Sequence, residues 1–161
     1  MRIVAISDTH AHSIQEFPTV LLDTLKKADM IIHTGDYTSK TVLDQLRAFK
    51  NFRGVYGNMD PLEIRTEVPE KATFDAAGYR IGLTHPSEGG PPFGIENMVR
   101  KKFDQVHLII YGHTHNAKNE RKEGVLFVNP GSLTGVRPAK SKTFAIIEIN
   151  QTIEARIIQI E

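Results

Sequence analysis

Apolar residues along this chain gather in short dense runs divided by polar stretches. The runs "IVAI" (3–6), "MII" (30–32), "IGL" (81–83), "VHLIIY" (106–111) and "VLFV" (125–128) are rich in β-branched residues, and such lengths suit strands rather than helices. "RGVYG" (53–57) is a weaker candidate of the same kind. Most of the runs are continuous rather than alternating, as expected of strands covered on both faces.

Helical spacing fills the gaps. "FPTVLLDTLKKA" (17–28) has Pro18 near its start and Leu21, Leu25 and Ala28 on one face,. "SKTVLDQLRAF" (39–49) offers Ser39 as an N-cap ahead of Val42, Leu46 and Phe49, and "GIENMVRKKF" (94–103) groups Ile95, Met98, Val99 and Phe103,. The first half therefore reads β-α-β-α-β, which predicts a parallel, helix-covered sheet. Later the pattern changes. "TFDAAGYRIGL" (73–83) turns at Ala77-Gly78 and "TFAIIEINQTIEARIIQI" (143–160) turns near Asn150-Gln151, so hairpins and antiparallel pairing should predominate there,. "PSEGGPPFG" (86–94) reads as a loop, either a substrate lid or a solvated connection,. No linker or internal repeat divides the 161 residues, which predicts a single domain spanning 1–161 with a full core.

Composition narrows the function classes. Twenty basic and 19 acidic residues give a formal charge of +1 without long like-charge runs, so nothing marks a nucleic-acid or anionic-membrane surface,. A small anionic substrate stays compatible with that balance. No cysteine is present, so any metal must be held by oxygen and imidazole nitrogen. No apolar run approaches the roughly 18 residues of a spanning helix, and the start lacks a signal-peptide core, so a cytoplasmic location is the default expectation. The sequence leaves a homo-oligomer open.

The chemistry lies just past the end of each apolar run. Asp8 and His10 come after the first, Asp36 after the second, Asn58 after the weak candidate, His85 after the next, and His113 and His115 after the run ending at Tyr111; "NPGS" (129–132) succeeds the last. Loops at the carboxyl ends of parallel strands converge on one crevice, so these residues are expected to meet. Asp8, His10, Asp36, Asn58, His85, His113 and His115 are seven oxygen or nitrogen donors, too many for one tetrahedral ion and suited to two ions sharing a carboxylate. Gly35, Gly57 and Gly112, each directly before a donor, fit sharp turns or a backbone passing close to an ion,. Two such ions acidify a water and neutralise phosphoryl charge, and phosphoester hydrolysis is the reaction that most needs this. His33 and His107, placed inside strands, read as structural, and His113 and His115, two apart, are expected to point to one side of an extended chain,.

In this order "SDTH" (7–10), "GD" (35–36), "GNMD" (57–60), "LTH" (83–85), "GHTH" (112–115) and "NPGS" (129–132) resemble the calcineurin-like metallophosphoesterases, in particular their small bacterial and archaeal phosphodiesterase branch. The resemblance implies an α/β (α+β) four-layer sandwich: two mixed sheets face to face with helices outside. It implies a first ion held by Asp8, His10, Asp36 and His115 and a second held by Asp36, Asn58, His85 and His113, with Asp36 bridging. It further implies attack on phosphorus by a metal-bridging hydroxide, with Asn58 also contacting the phosphate. The cofactors implied are two divalent ions (manganese, nickel, cobalt, iron or zinc) and the substrate a small phosphodiester.

Two positions depart from the wider family. Met59 stands where many members carry a histidine credited with protonating the leaving group; Asp60 or His12 then becomes the alternative donor, or a good leaving group or water suffices. Pro86 follows His85 where glycine is common. Arg137 is a candidate phosphate contact, since a guanidinium fork suits that anion,, and "NPGS" is expected to order the crevice wall rather than bind metal. The competing functions are a scaffold of the retromer-subunit type and a nuclease or nucleotide-processing phosphoesterase.

Overall fold

The computed structural model describes residues 1–49, 51–88 and 94–161. Its strands are β1 (Arg2–Ile6), β2 (Met30–His33), β3 (Phe52–Gly54), β4 (Lys71–Ala76), β5 (Tyr79–Thr84), β6 (Leu108–Tyr111), β7 (Lys118–Lys122), β8 (Val125–Asn129), β9 (Lys142–Ile149) and β10 (Ile153–Ile160). The α-helices are α1 (Thr19–Lys26), α2 (Lys40–Arg47), α3 (Leu62–Arg65) and α4 (Ile95–Arg100). The strands form two sheets, ordered β10-β9-β1-β2-β3 and β4-β5-β6-β8-β7.

Each continuous apolar run serves two cores. In β1, Ile3 and Ala5 enter the interior between the sheets, where they join Ile32, Leu83, Leu108, Ile110, Val128 and Ile147. Val4 and Ile6 point the other way, onto Leu21 and Leu25 of α1 and Val42, Leu43 and Leu46 of α2. On the far side of the second sheet, Ile109, Tyr111, Val125 and Phe127 pack against Ile95 and Val99 of α4. Period-two alternation thus sends both sets of side chains into apolar surroundings, which is why no polar face shows in these runs. The result is the expected sandwich of two mixed five-stranded sheets between outer helices.

Pairing follows the two halves only in part. β1-β2 and β2-β3 are parallel, as the β-α-β-α-β reading predicts. The hairpins β4-β5 and β9-β10 turn at Ala77-Gly78 and at 150–152, and β7-β8 and β1-β9 are also antiparallel. Yet β5-β6 and β6-β8 are parallel, with α4 as one crossover, so the second sheet also sends three strand ends toward the crevice. The 106–111 run becomes a strand only from Leu108; His107 is exposed, outside the strand, and its Nδ1 accepts from the Arg80 N–H at 2.9 Å. β3 stops at Gly54, short of the 53–57 candidate's end. Residues 89–93 of the 86–94 loop lie outside the described residues. No helix among the described residues is long and apolar enough to cross a membrane.

Candidate metal centre

The register brings the strand ends level. Ile6 pairs with His33 and His33 with Gly54 in the first sheet, while Thr84 pairs with Tyr111 and Ile110 with Val128 in the second. All seven expected donors therefore reach the same crevice. Asp8, His10, Asp36 and Asn58 come from the first sheet's loops, and His85, His113 and His115 from the second's.

Asp8, His10, Asp36 and His115 offer one donor atom each within 4.8 Å of one another. His115 Nε2 lies 3.1 Å from Asp8 Oδ1, and His10 Nε2 lies 3.9 Å from Asp36 Oδ2. The remaining donors gather about the same Asp36 oxygen: His85 Nε2 is 3.4 Å from Asp36 Oδ2 and 4.0 Å from Asp8 Oδ1, and Asn58 Oδ1 is 3.1 Å from both His85 Nε2 and His113 Nδ1. Asp36 Oδ2 thus comes nearer to His85 Nε2 than Asp8 Oδ1 does, and it also faces His10 Nε2. Asp8 Oδ1 and His10 Nε2 are buried without a well-aligned hydrogen bond. Burying polar atoms unpaired is costly, and an electrophile placed among them would satisfy both. The donor set, oxygen and imidazole only, fits divalent cations of the first transition row.

The main chain holds these groups in unusual conformations. Asp8, His10, Asp36, His113 and His115 all have positive φ, between 42° and 79°. The left-handed region costs a non-glycine residue of order 1 kcal/mol or more. This corrects the expectation that "GHTH" projects its histidines from an extended chain: left-handed residues alternate with Thr114, just as Asp8 and His10 flank Thr9. It also moves the reason for two glycines. Gly57 and Gly112 are absent from the positive-φ set. A Cβ on Gly57 would sit 2.1 Å from Asp36 Oδ1, and one on Gly112 would sit 2.3 Å from Ser7 Oγ, so close approach is what these positions require,.

Local contacts aim each donor. Asp36 Oδ1 accepts from the Met59 N–H at 2.8 Å, and Asp8 Oδ2 accepts from Ser7 Oγ at 2.6 Å and the His113 N–H at 3.2 Å. His85 Nδ1 is 2.7 Å from the Thr34 carbonyl, which turns Nε2 toward the carboxylates; His115 Nδ1 is held by the carbonyls of Val136 and Arg137 at 2.9 and 3.1 Å,. Burial by itself would raise Asp36, but the hydrogen bond and charge of His85 and the Met59 N–H outweigh it and hold the carboxyl below its usual range. Burial opposes charge on His85, yet Asp36 and Asp8 raise it, whereas burial and the neighbouring His85 lower His113. The Asp8 carboxylate raises His115 to about 9.

The other expected residues fall around this centre. Asp60 is buried, and both its oxygens are committed to the main chain: Oδ2 accepts from Asp36 N (2.9 Å) and Gly57 N (2.8 Å), Oδ1 from Thr38 N (2.8 Å). It brackets the loops after β2 and β3. His12 is exposed, with its N–H donating to Glu16 and its carbonyl accepting from Ser39. Arg137 is exposed on the loop that holds His115, and Met59 exposes its side chain beside Asn58. His33 is fully buried, stacked 3.7 Å from Tyr37, with Nδ1 accepting from the Gly35 N–H; burial pushes it well below its usual range. In "NPGS", Asn129 Nδ2 donates to Thr114 Oγ1 and the Gly112 carbonyl, and Ser132 Oγ donates to the Asp8 carbonyl at 2.9 Å. The motif laces the two donor loops to each other. Ser7 and the Thr34 and Val136 carbonyls are orienting groups that sequence reasoning missed; only Ser7, inside "SDTH", had a signal to find.

The sequence model of the calcineurin-like phosphoesterase superfamily domain matches residues 1–152 of this chain. A probable metallophosphoesterase of Methanocaldococcus jannaschii is 34% identical over 164 residues, covering 100% of this chain and 82% of that protein. Among solved structures, a novel archaeal phosphodiesterase superposes with TM-score 0.78 at 25% identity, covering 99% of this chain and 100% of the other. The zinc complex of Entamoeba histolytica Vps29 superposes with TM-score 0.76 at 23% identity over 99% of each chain, a likeness of fold alone. Strand order, converging donors and family match together assign this chain to the calcineurin-like phosphoesterase superfamily.

Proposed function

We propose that this chain is a phosphodiesterase working with two divalent ions, the first held by Asp8, His10, Asp36 and His115 and the second by Asp36, Asn58, His85 and His113. The observation that carries the reading is a donor group spanning 4.8 Å in which His10 Nε2 is buried without a hydrogen bond and Asp8 Oδ1 has the His115 ring at 3.1 Å in place of a well-aligned partner, beside a second donor group that shares Asp36. When bound, the ions supply an acidified water and neutralise charge on the phosphoryl oxygens. Manganese, nickel, cobalt, iron and zinc all suit these donors.

The chain's own residues set the geometry. Asp36, gripped by the Met59 N–H, faces both donor groups, and the Thr34, Val136 and Arg137 carbonyls fix the imidazoles of His85 and His115. Asn58, exposed at the mouth, contributes its amide to the substrate phosphate. Asp60 is not assigned the proton transfer, because its oxygens accept three main-chain N–H groups and a carboxyl proton would displace one. Met59 has no proton to give, so the leaving group departs with water's help or by its own acidity. The substrate is a small or flexible phosphodiester. The test is reconstitution of metal-stripped protein with manganese, nickel, cobalt or zinc and assay on bis(p-nitrophenyl) phosphate, with Asp36→Asn expected to lower kcat/KM by about 10³. Inactivity of the fully loaded wild type across these metals would overturn the proposal.

A further inference from the structure

The flanks of the donor crevice differ in chemistry. On the Asn58 side, Met59 is 58% exposed and Leu62 75% exposed. On the His115 side a cavity of about 360 Å³ opens, lined by His115, Asn116, Ala117, Lys140, Ser141 and Thr143. Its size suits a small polar group or a substrate arm. His115 is the shared wall: its Nε2 faces Asp8 while its Nδ1 is tied to the Val136 and Arg137 carbonyls, on the loop that leads to Lys140.

The charge of that loop is one-sided. Arg137, Lys140 and Lys142 are all exposed and fall within six positions, and no Asp or Glu occurs from Gly124 to Ile147. None of the three cations forms an ion pair among the described residues, whereas Lys40, Lys102 and Lys118 each have a carboxylate partner. Of the three, Lys140 lines the cavity itself and Arg137 and Lys142 lie within three positions of it in the chain. An unpaired ammonium in a cavity that shares a wall with a phosphoryl site favours an anion, and phosphate suits it.

We infer that this cavity is a subsite for a second phosphoryl group, so that the substrate carries a phosphate beyond the scissile diester, directed past His115 toward Lys140. The inference rests on the phosphodiesterase reading of the centre and adds the substrate class. It makes Lys140 a specificity-determining residue.

The test uses manganese-loaded protein and two probes differing by one phosphate, adenosine 3′,5′-bisphosphate and adenosine 5′-monophosphate, with affinity measured by calorimetry. Wild type is expected to prefer the bisphosphate, and Lys140→Ala to reduce that preference about tenfold, the effect of one charge-assisted hydrogen bond. Lys140→Arg should restore most of it. Lys122→Ala, which removes an equal charge from β7, should keep the wild-type preference. Absence of any preference in wild type, an unchanged preference in Lys140→Ala, or an equal loss in Lys122→Ala would overturn the inference. These readouts need no turnover, so failure of the activity reading shows separately, as inert wild type on bis(p-nitrophenyl) phosphate.

Discussion

The first sheet's loops and the second sheet's loops deliver donors to one crevice but fix them differently. After β1, β2 and β3 the loops are interlocked through main-chain bonds: Asp8 N to Gly35 O at 3.0 Å, Thr9 N to Asp36 O at 3.1 Å, and the three amides gathered by Asp60. After β5 and β6 each imidazole has a lighter tether. His85 leans on a carbonyl of the opposite sheet, His115 on the 136–137 backbone, and His113 Nδ1 meets only the Asn58 side chain. The carboxylate loops are thus set in a frame of main-chain bonds, while each imidazole is oriented through one or two carbonyl or amide contacts at one ring nitrogen, which suits anions that are preorganised and rings that can readjust.

The largest effect expected from this contrast is at its rigid centre. Asp36→Asn, with its roughly thousandfold loss of kcat/KM, should strip both ions, because Asp36 is shared by both donor groups; retention of two ions per chain by elemental analysis would break the scheme. Next come the tethered rings. His115→Gln and His113→Gln should each cost roughly 10–100-fold in activity, with metal content falling from two ions toward one. Loss of both ions from either variant would erase the distinction between the groups.

Smaller effects test the frame itself. Asp60→Asn leaves one acceptor oxygen for three N–H groups, so it should destabilise the fold by about 2 kcal/mol in denaturant titration, with activity falling several-fold less than for either histidine variant. The smallest effect concerns pH in the metal-free protein. The Asp8 carboxylate raises His115 from 6.5 to about 9, so the stabilising pair is fully present below 6.5 and is lost as pH climbs through about 9,. The thermal midpoint of metal-free wild type should therefore approach that of His115→Gln across this interval; a constant gap would show that the ring does not titrate against Asp8.

Much of this architecture was legible because buried strands leave plain traces. "IVAI" and "VLFV" have no polar face since each is covered on both sides, and the polar residue after each run marks the strand's end at the crevice. β7, "KNERK", left no such trace: it is a mostly exposed edge strand paired with β8. Its side chains act through polar bonds to α4 and β10, Lys118 to Glu96, Asn119 to the Ala155 carbonyl and Arg121 to the Ile153 carbonyl, rather than through apolar burial,. α3 is a single turn after Pro61, too short for periodicity to register. At the centre the donor identities were readable, but their left-handed backbone was not, because aspartate and histidine, though enriched at positive φ over other side chains, still adopt it only in a small minority of positions. Asp60 is instructive in the same way. Beside a proline it looks like a turn former or a proton donor, and only the spatial meeting of Thr38, Asp36 and Gly57 reveals a carboxylate spent on three amides.

The order β10-β9-β1-β2-β3 also schedules events during synthesis. β2 ends 27 residues after β1, at His33 against Ile6, but the strand that covers the other edge of β1, β9, ends only at Ile149. At ribosomal speeds of roughly 5–20 residues per second, that edge stays open for on the order of ten seconds while the donors of the first sheet already exist. The native partner of that edge of β1 is therefore made long after Asp8, His10 and Asp36, and an apolar strand with an unpaired edge is what holdase chaperones and unwanted neighbours compete for.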